Sequence, residues 1–120
     1  MAATIDLIQR ELGADGLVRR YIPEEAVDGL AGDEGTFTMC SLWLAGSLVT
    51  AGRIEEARAL FEKVVALRNR VGLFSEMIDV TNGEYLGNYP QAFTHIALIH
   101  TARNLDRALN KVEMGKVVAA

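Results

Sequence analysis

The chain has 120 residues, 50% of them hydrophobic and 23% charged, enough apolar side chain for one packed domain and too short a chain for two. A formal net charge of −4 disfavours nucleic acid and anionic membrane as partners, and no run nears the roughly 20 apolar residues that span a bilayer. The opening Met1-Ala2-Ala3-Thr4-Ile5-Asp6 has no basic and then apolar leader, and the lone Cys40 allows no disulfide framework, so a cytoplasmic protein is expected.

Five helical stretches follow from the periodicity. The first, Thr4 to Leu12, sets Ile5, Ile8 and Leu12 on one face and stops at Gly13, a common helix-ending residue. A long irregular region, Ala14 to Thr36, comes next, with Gly16 to Ile22 as a short extended stretch inside it. Connections ordinarily run about 4–6 residues, so a loop this long is a candidate for function. The second helix, Phe37 to Ala51, is apolar nearly all round, which predicts burial on every side. After Gly52, the third, Ile54 to Arg70, carries one apolar stripe (Ile54, Ala57, Phe61, Val64, Val65) and turns Glu55, Glu56, Arg58, Glu62 and Lys63 outward. It reads as the outer member of an antiparallel αα-hairpin.

The pattern then recurs. A second loop, Gly72 to Tyr89, precedes Pro90, a residue suited to a first helical position. The fourth helix, Pro90 to Arg103, is mostly apolar, and a fifth, Asn104 to about Met114, is amphipathic through Leu105, Ala108, Leu109 and Val112. The expectation is an all-α fold of inner and outer helices. If the two hairpins stack side by side, their inner helices run parallel, and both long loops gather at one end beside the free N–H groups of those helices. That end is the candidate site.

The loops interleave carboxylates, amides, hydroxyls and tyrosine rings with glycine, the chemistry of a sugar site; the same acids also serve as caps and turn residues. Other motifs fail. Asp79-Val80-Thr81-Asn82-Gly83 opens like a calcium loop, but Gly83 replaces an oxygen ligand. His95 and His100 do not share a helix face as a zinc pair would. Cys40, inside an apolar helix, reads as an inert core thiol, and no glycine pattern matches a phosphate or dinucleotide loop. Trp43 fits either the core or, if it faces the loop end, a sugar-stacking wall.

At the two loops the chain closely resembles glycoside hydrolase family 15, the glucoamylase, glucodextranase and trehalase-like enzymes. The matching runs are Asp28-Gly29-Leu30, Glu34-Gly35-Thr36-Phe37, Cys40-Ser41-Leu42-Trp43-Leu44, Ala51-Gly52-Arg53 and Glu56-Ala57-Arg58, and then Gly83 through His95 unbroken. The resemblance implies a partial (α/α)6 barrel, the C-terminal portion of a catalytic domain that here forms a single domain over residues 1–120. It implies inverting hydrolysis of an α-glucoside or α-glucan, with one acid on the leaving oxygen and one carboxylate activating water about 6.5–9.5 Å away. The general-base role falls on Glu76, and Glu34, Trp43, Tyr85 and Gln91 fall in the substrate-binding set. Bacterial members often carry a second Glu where this chain has Met77. The family's general acid lies upstream of the matching segment, so the chain alone is expected to be inactive. No metal or cofactor is implied.

Two other readings stand beside it. Phe37 to Arg70 looks like one tetratricopeptide hairpin of 34 residues, which would make a helical interaction module, although the next inner helix starts too late, at Pro90, to continue such an array. A non-catalytic carbohydrate binder would keep the loops without the acid. Under every reading a partial barrel leaves apolar helix flanks open, which implies self-association or pairing with a missing barrel half.

Overall fold

A computed structural model describes residues 2–22 and 35–118. Helix α1 (Ala2–Glu11) buries Ile5 and rests Ile8 and Leu12 against the core. It ends before Gly13, which passes so close to the helix that a Cβ there would stand 2.2 Å from the carbonyl oxygen of Gln9, a place only glycine fills. The chain reverses instead in a hairpin of β1 (Gly13–Ala14) and β2 (Leu17–Val18), with Ala14 facing Leu17. Asp15 and Gly16 between them both take positive φ, 45° and 69°, the two-residue turn that matches strand twist. Only Leu17–Val18 of the expected extended stretch is strand. Its two side chains are buried, and the Val18 N–H donates to Ser41 Oγ at 2.9 Å, tying the hairpin to the next helix.

The expected αα-hairpin is present as α2 (Thr38–Thr50) and α3 (Ile54–Ala66). Leu42, Ala45 and Leu48 of α2 meet Ala57, Leu60 and Val64 of α3 in the core. Gly52 makes the turn at φ 78°, and the N–H groups of Gly52 and Arg53 close the end of α2 on the carbonyls of Val49 and Leu48. Helix α3 stops at Ala66, short of Arg70, because Asn69 Oδ1 takes the N–H groups of Val71 (3.0 Å) and Leu73 (2.8 Å) and folds the chain into a turn. At the other end, Arg53 reaches across to Asp6 and Gln9 of α1 and to Glu56 of α3.

The last residues of the first loop meet the second loop at the start of α2. Strand β3 (Thr36–Phe37), just before α2, pairs antiparallel with β4 (Met77–Ile78) of the second loop, and β4 pairs with β5 (Tyr85–Leu86). This small sheet was not foreseen by the all-α reading, although helices form the core. Gly35 passes so close that a Cβ there would lie 2.4 Å from the Ile78 carbonyl oxygen. Helix α4 (Ala92–Val118) runs parallel to α2: its Thr94 hydroxyl donates to Ser75 O at the sheet end, and its Thr101 hydroxyl donates to Leu42 O farther along.

Two expectations about this region fail. The fourth and fifth helices are one helix, since nothing from Ala92 to Met114 interrupts it: there is no Pro or Gly, and Ala97, Thr101 and Leu105 continue one buried stripe across the expected break. Pro90 does not open the helix. It follows a cis peptide bond to Tyr89, and α4 starts at Ala92.

Nor are the apolar helices covered all round. Trp43 on α2 is 57% exposed, and Phe93, Ile96 and Ile99 on α4 are 61–64% exposed, because no described element packs over those flanks. Large-to-small changes should separate the two environments. Leu48→Ala, at a side chain with no exposed surface, is expected to cost about 2–5 kcal/mol, and Ile99→Ala within about 0.5 kcal/mol, by urea unfolding monitored by circular dichroism. Equal costs at the two positions would contradict this division.

Candidate active site

Glu76 sits where the starts of two helices converge on the second loop. Its backbone carbonyl accepts the Thr38 N–H at the start of α2 (3.0 Å). The two carbonyls before it are engaged from α4: Phe74 O takes the Gln91 N–H at 3.0 Å, and Ser75 O takes the Thr94 hydroxyl at 3.2 Å. Ser75, itself buried, turns its own hydroxyl onto Met77 O at 2.7 Å. The backbone of Glu76 is therefore fixed from both sides before its side chain makes any contact. That side chain is half-buried, and its Oε2 accepts two donors from Asn88, the backbone N–H at 2.9 Å and Nδ2 at 2.8 Å.

Tyr85 and Tyr89 stack at 5.1 Å between centroids with their planes 29° apart, and both rings are partly exposed. The Tyr85 hydroxyl donates to Leu67 O at 2.9 Å, and Asn69 Nδ2 donates to the Tyr89 hydroxyl. The stacked rings are thus pinned by their far ends and present their bodies to solvent. Gln91 is committed to structure: its Oε1 receives the Phe93 N–H at the opening of α4 (3.4 Å), and its carbonyl meets His95 Nδ1 at 2.7 Å. That contact makes Nδ1 the protonated ring nitrogen of His95. The His95 ring packs edge-on to Phe74 at 5.5 Å, and His100 is exposed.

Trp43 stands apart from this group. It rims a cavity of about 470 Å³ between α1 and α2 that is lined by Ile5, Ile8, Cys40 and Leu44 among others, and no residue of the second loop lines it. Trp43 is therefore neither buried nor beside Glu76. Burial pushes the Cys40 thiol up, against a smaller opposing effect of Arg20, as befits an inert thiol. Glu34 lies outside the described residues. Asp79 is used locally: its Oδ1 takes the Thr81 hydroxyl (2.6 Å) and N–H (2.8 Å), and its carbonyl takes the Gly83 N–H. Among the described residues no group of three His, Cys, Asp or Glu is gathered as a metal site requires, and no helix is long and apolar enough to cross a membrane.

Of the expected residues, then, the structure brings Glu76, Tyr85 and Gln91 onto one loop and its following helix, and leaves Trp43 on another face. Gly87, Asn88 and Tyr89 were not singled out. The register signals the first two: β4 pairs Met77 with Leu86, so the same ladder carried one step further sets Gly87 opposite Glu76.

The model of glycosyl hydrolases family 15 matches residues 1–103, and the chain belongs to that family. It is 46% identical over 115 residues to a trehalase of Mycolicibacterium smegmatis, covering 96% of this chain and 17% of that protein. It is 46% identical over 105 residues to a trehalase of Mycobacterium tuberculosis, covering 88% of this chain and 15% of that protein. A trehalase of Thermoplasma volcanium is 42% identical over 109 residues, with 90% and 17% covered. The chain thus spans about one sixth of the length of the curated relatives it matches. No solved structure matches it. Family membership replaces the tetratricopeptide reading.

The Asp79 turn gives a pH test. Hydrogen bonds from the Thr81 hydroxyl, and then from its N–H, hold the Asp79 carboxyl below the ordinary aspartate range. A depressed folded value means that the turn's support is present above about 3.9, the unfolded value, and is lost only as pH falls through the lower folded value. Thr81→Ala is expected to raise the Asp79 midpoint toward about 3.9, followed by its carboxyl carbon shift against pH. An unmoved midpoint would show that Thr81 is not what holds it.

Proposed function

We propose that this chain is the C-terminal portion of an (α/α)6 catalytic domain of an inverting α-glucoside hydrolase, and that it supplies the base half of the active site. Glu76 is the general base. Its carboxylate takes a proton from a water molecule as that water attacks the anomeric carbon. The glycosidic oxygen leaves with a proton from a carboxylic acid contributed by polypeptide outside these residues, about 6.5–9.5 Å across the sugar. Of the expected substrate-binding set (Glu34, Trp43, Tyr85 and Gln91), Tyr85 is the member that joins Glu76 in this reading, its exposed ring, stacked on Tyr89, offering a face to a pyranose, while Gln91 braces the opening of α4 and Trp43 lies on another face.

The observation that carries this reading is the fixing of Glu76 at the shared end of two parallel helices. Its backbone is tied to α2, and among the described residues only Asn88 reaches its carboxylate, through Oε2. Oε1 is left for water. The names of the relatives favour trehalose among α-glucosides as the substrate. The uncovered flanks of α2 and α4, at Trp43 and at Phe93, Ile96 and Ile99, are the surfaces on which the rest of the barrel would pack, or through which copies of the chain would associate in its absence. A cytoplasmic setting suits the lone Cys40.

The test is glucose release from trehalose, maltose, maltotriose and isomaltose, by the chain alone and by a graft in which it replaces its counterpart in the Mycolicibacterium smegmatis trehalase. The chain alone is expected to release none. The graft is expected to hydrolyse trehalose and to lose about 10²–10⁴-fold in kcat on Glu76→Gln. Glu76-dependent release by the isolated chain would place the acid within these residues, and a Glu76→Gln graft of full activity would remove Glu76 as the base.

A further inference from the structure

Among the described residues the carboxylate of Glu76 is held by Asn88 alone, through one oxygen, and the residue before that holder is a glycine at positive φ with the carboxylate lying close against it. We infer that Asn88 is a positioning residue for the base, and that Gly87 is glycine so that the carboxylate can lie against the backbone where Asn88 holds it. The inference rests on the base role proposed above for Glu76.

Glu76 and Asn88 are joined in both directions. The Glu76 N–H donates to Asn88 O at 2.9 Å, and the Asn88 N–H returns not to a carbonyl, as in a regular ladder, but to the side-chain Oε2 at 2.9 Å. Asn88 Nδ2 closes on the same oxygen at 2.8 Å. Two N–H donors on a carboxylate are charge-assisted and shorter and stronger than neutral bonds. With both on Oε2, the carboxylate loses its freedom to rotate and exchange its oxygens, and Oε1 is the one presented to a water molecule.

Gly87 makes room for this. A Cβ there would lie 2.7 Å from Oε2, closer than real Cβ atoms come, and 3.0 Å from Glu76 Cβ and 3.2 Å from Glu76 Cδ, tighter than ordinary contact. Its φ of 71° adds a second demand for glycine. A side chain at this position would push the carboxylate off the Asn88 donors. A base must come within about 2.6–3.2 Å of the water it deprotonates, and an error of about 1 Å in a reacting group can cost 10²-fold. Orientation of the carboxylate is therefore a rate factor of its own, separate from the identity of the base.

Asn88→Ala removes the Nδ2 donor and keeps the backbone one. In the grafted trehalase it is expected to lower kcat about 10–100-fold, with KM for trehalose changed less than about threefold and the melting midpoint of the graft unmoved. Gly87→Ala is expected to lower kcat in the same sense. Asn82→Ala, a change in the same loop that bears on Glu84 and Asp79 and makes no contact with Glu76 among the described residues, serves as the control with kcat unchanged. If Glu76→Gln abolishes turnover while Asn88→Ala leaves kcat within threefold of the wild type, the base stands and the positioning role falls. If Glu76→Gln leaves turnover intact, both fall. A readout that needs no graft comes from the full chain in solution. The Asn88 backbone amide and one of its side-chain amide protons should resonate downfield, and both should move upfield on Glu76→Gln. Ordinary shifts for both, unmoved by that substitution, would overturn the inference on their own.

Discussion

Three consecutive carbonyls, those of Phe74, Ser75 and Glu76, receive donors from the beginnings of α4 and α2, and the remaining architecture follows from that junction. The first turn of any helix has N–H groups with no partner inside the helix. Leaving such a donor buried and unpaired costs about 1–3 kcal/mol, more than a made bond contributes. Segment 74–76 resolves the problem for two helices at once. It brings their starts to one level, makes them run parallel and draws the sheet of β3, β4 and β5 across the end. Farther along the same contact, the Thr101 hydroxyl reaches Leu42 O.

This arrangement separates support from chemistry. The backbone of segment 74–76 is spent on helix starts, whereas the Glu76 side chain leaves on the opposite side toward Gly87 and Asn88. Tyr85 and Tyr89 are likewise tethered by their hydroxyls to the segment after α3, through Leu67 and Asn69, with ring faces left open. The second loop is therefore braced on three helices. The loop is braced within this chain, whereas the apolar flanks of α2 and α4 lie uncovered by any described residue, and the chain spans about one sixth of the length of its trehalase relatives.

The helices were legible where side-chain periodicity and breakers agreed. Residues 38–66 form the expected hairpin because Gly52 supplies a positive φ between an apolar helix and a striped one. The break expected near Asn104 had only a change of polarity behind it, and a solvated face beginning midway along a helix is not a terminus. The sheet was illegible for a different reason. Its strands are two residues long, and Thr36 pairs with Ile78 across an intervening hairpin of helices, so no local alternation announces them. At the site, Glu76 was reached through resemblance to a family, since one acid in a glycine-rich loop has no distinctive spacing. Gly87 and Asn88 stood in the same matched run, but their use depends on a close approach that only coordinates reveal. Asp15-Gly16 was the one missed signal of purely local kind, a turn dipeptide between two short apolar pieces.

The fan of contacts around Arg53 has a consequence of its own. Its guanidinium joins Asp6 and Gln9 of α1 to Glu56 of α3, and the hydrogen bonds to Glu56 and then Asp6 raise its already high pKa, so it is charged at any pH the fold survives. Helix α1 buries only Ile5 fully, and its acidic partner Asp6 is largely exposed. Its attachment therefore leans on charges that mobile ions can reach, screened over about 8 Å at physiological ionic strength and about 3 Å at 1 M. The interlocked α2, α3 and α4 core, joined by buried apolar contacts and hydroxyl-to-carbonyl bonds, has no such dependence. Screening by added salt therefore weakens this ionic part of the attachment of α1 and leaves the apolar contacts of Ile5, Ile8 and Leu12 to hold it.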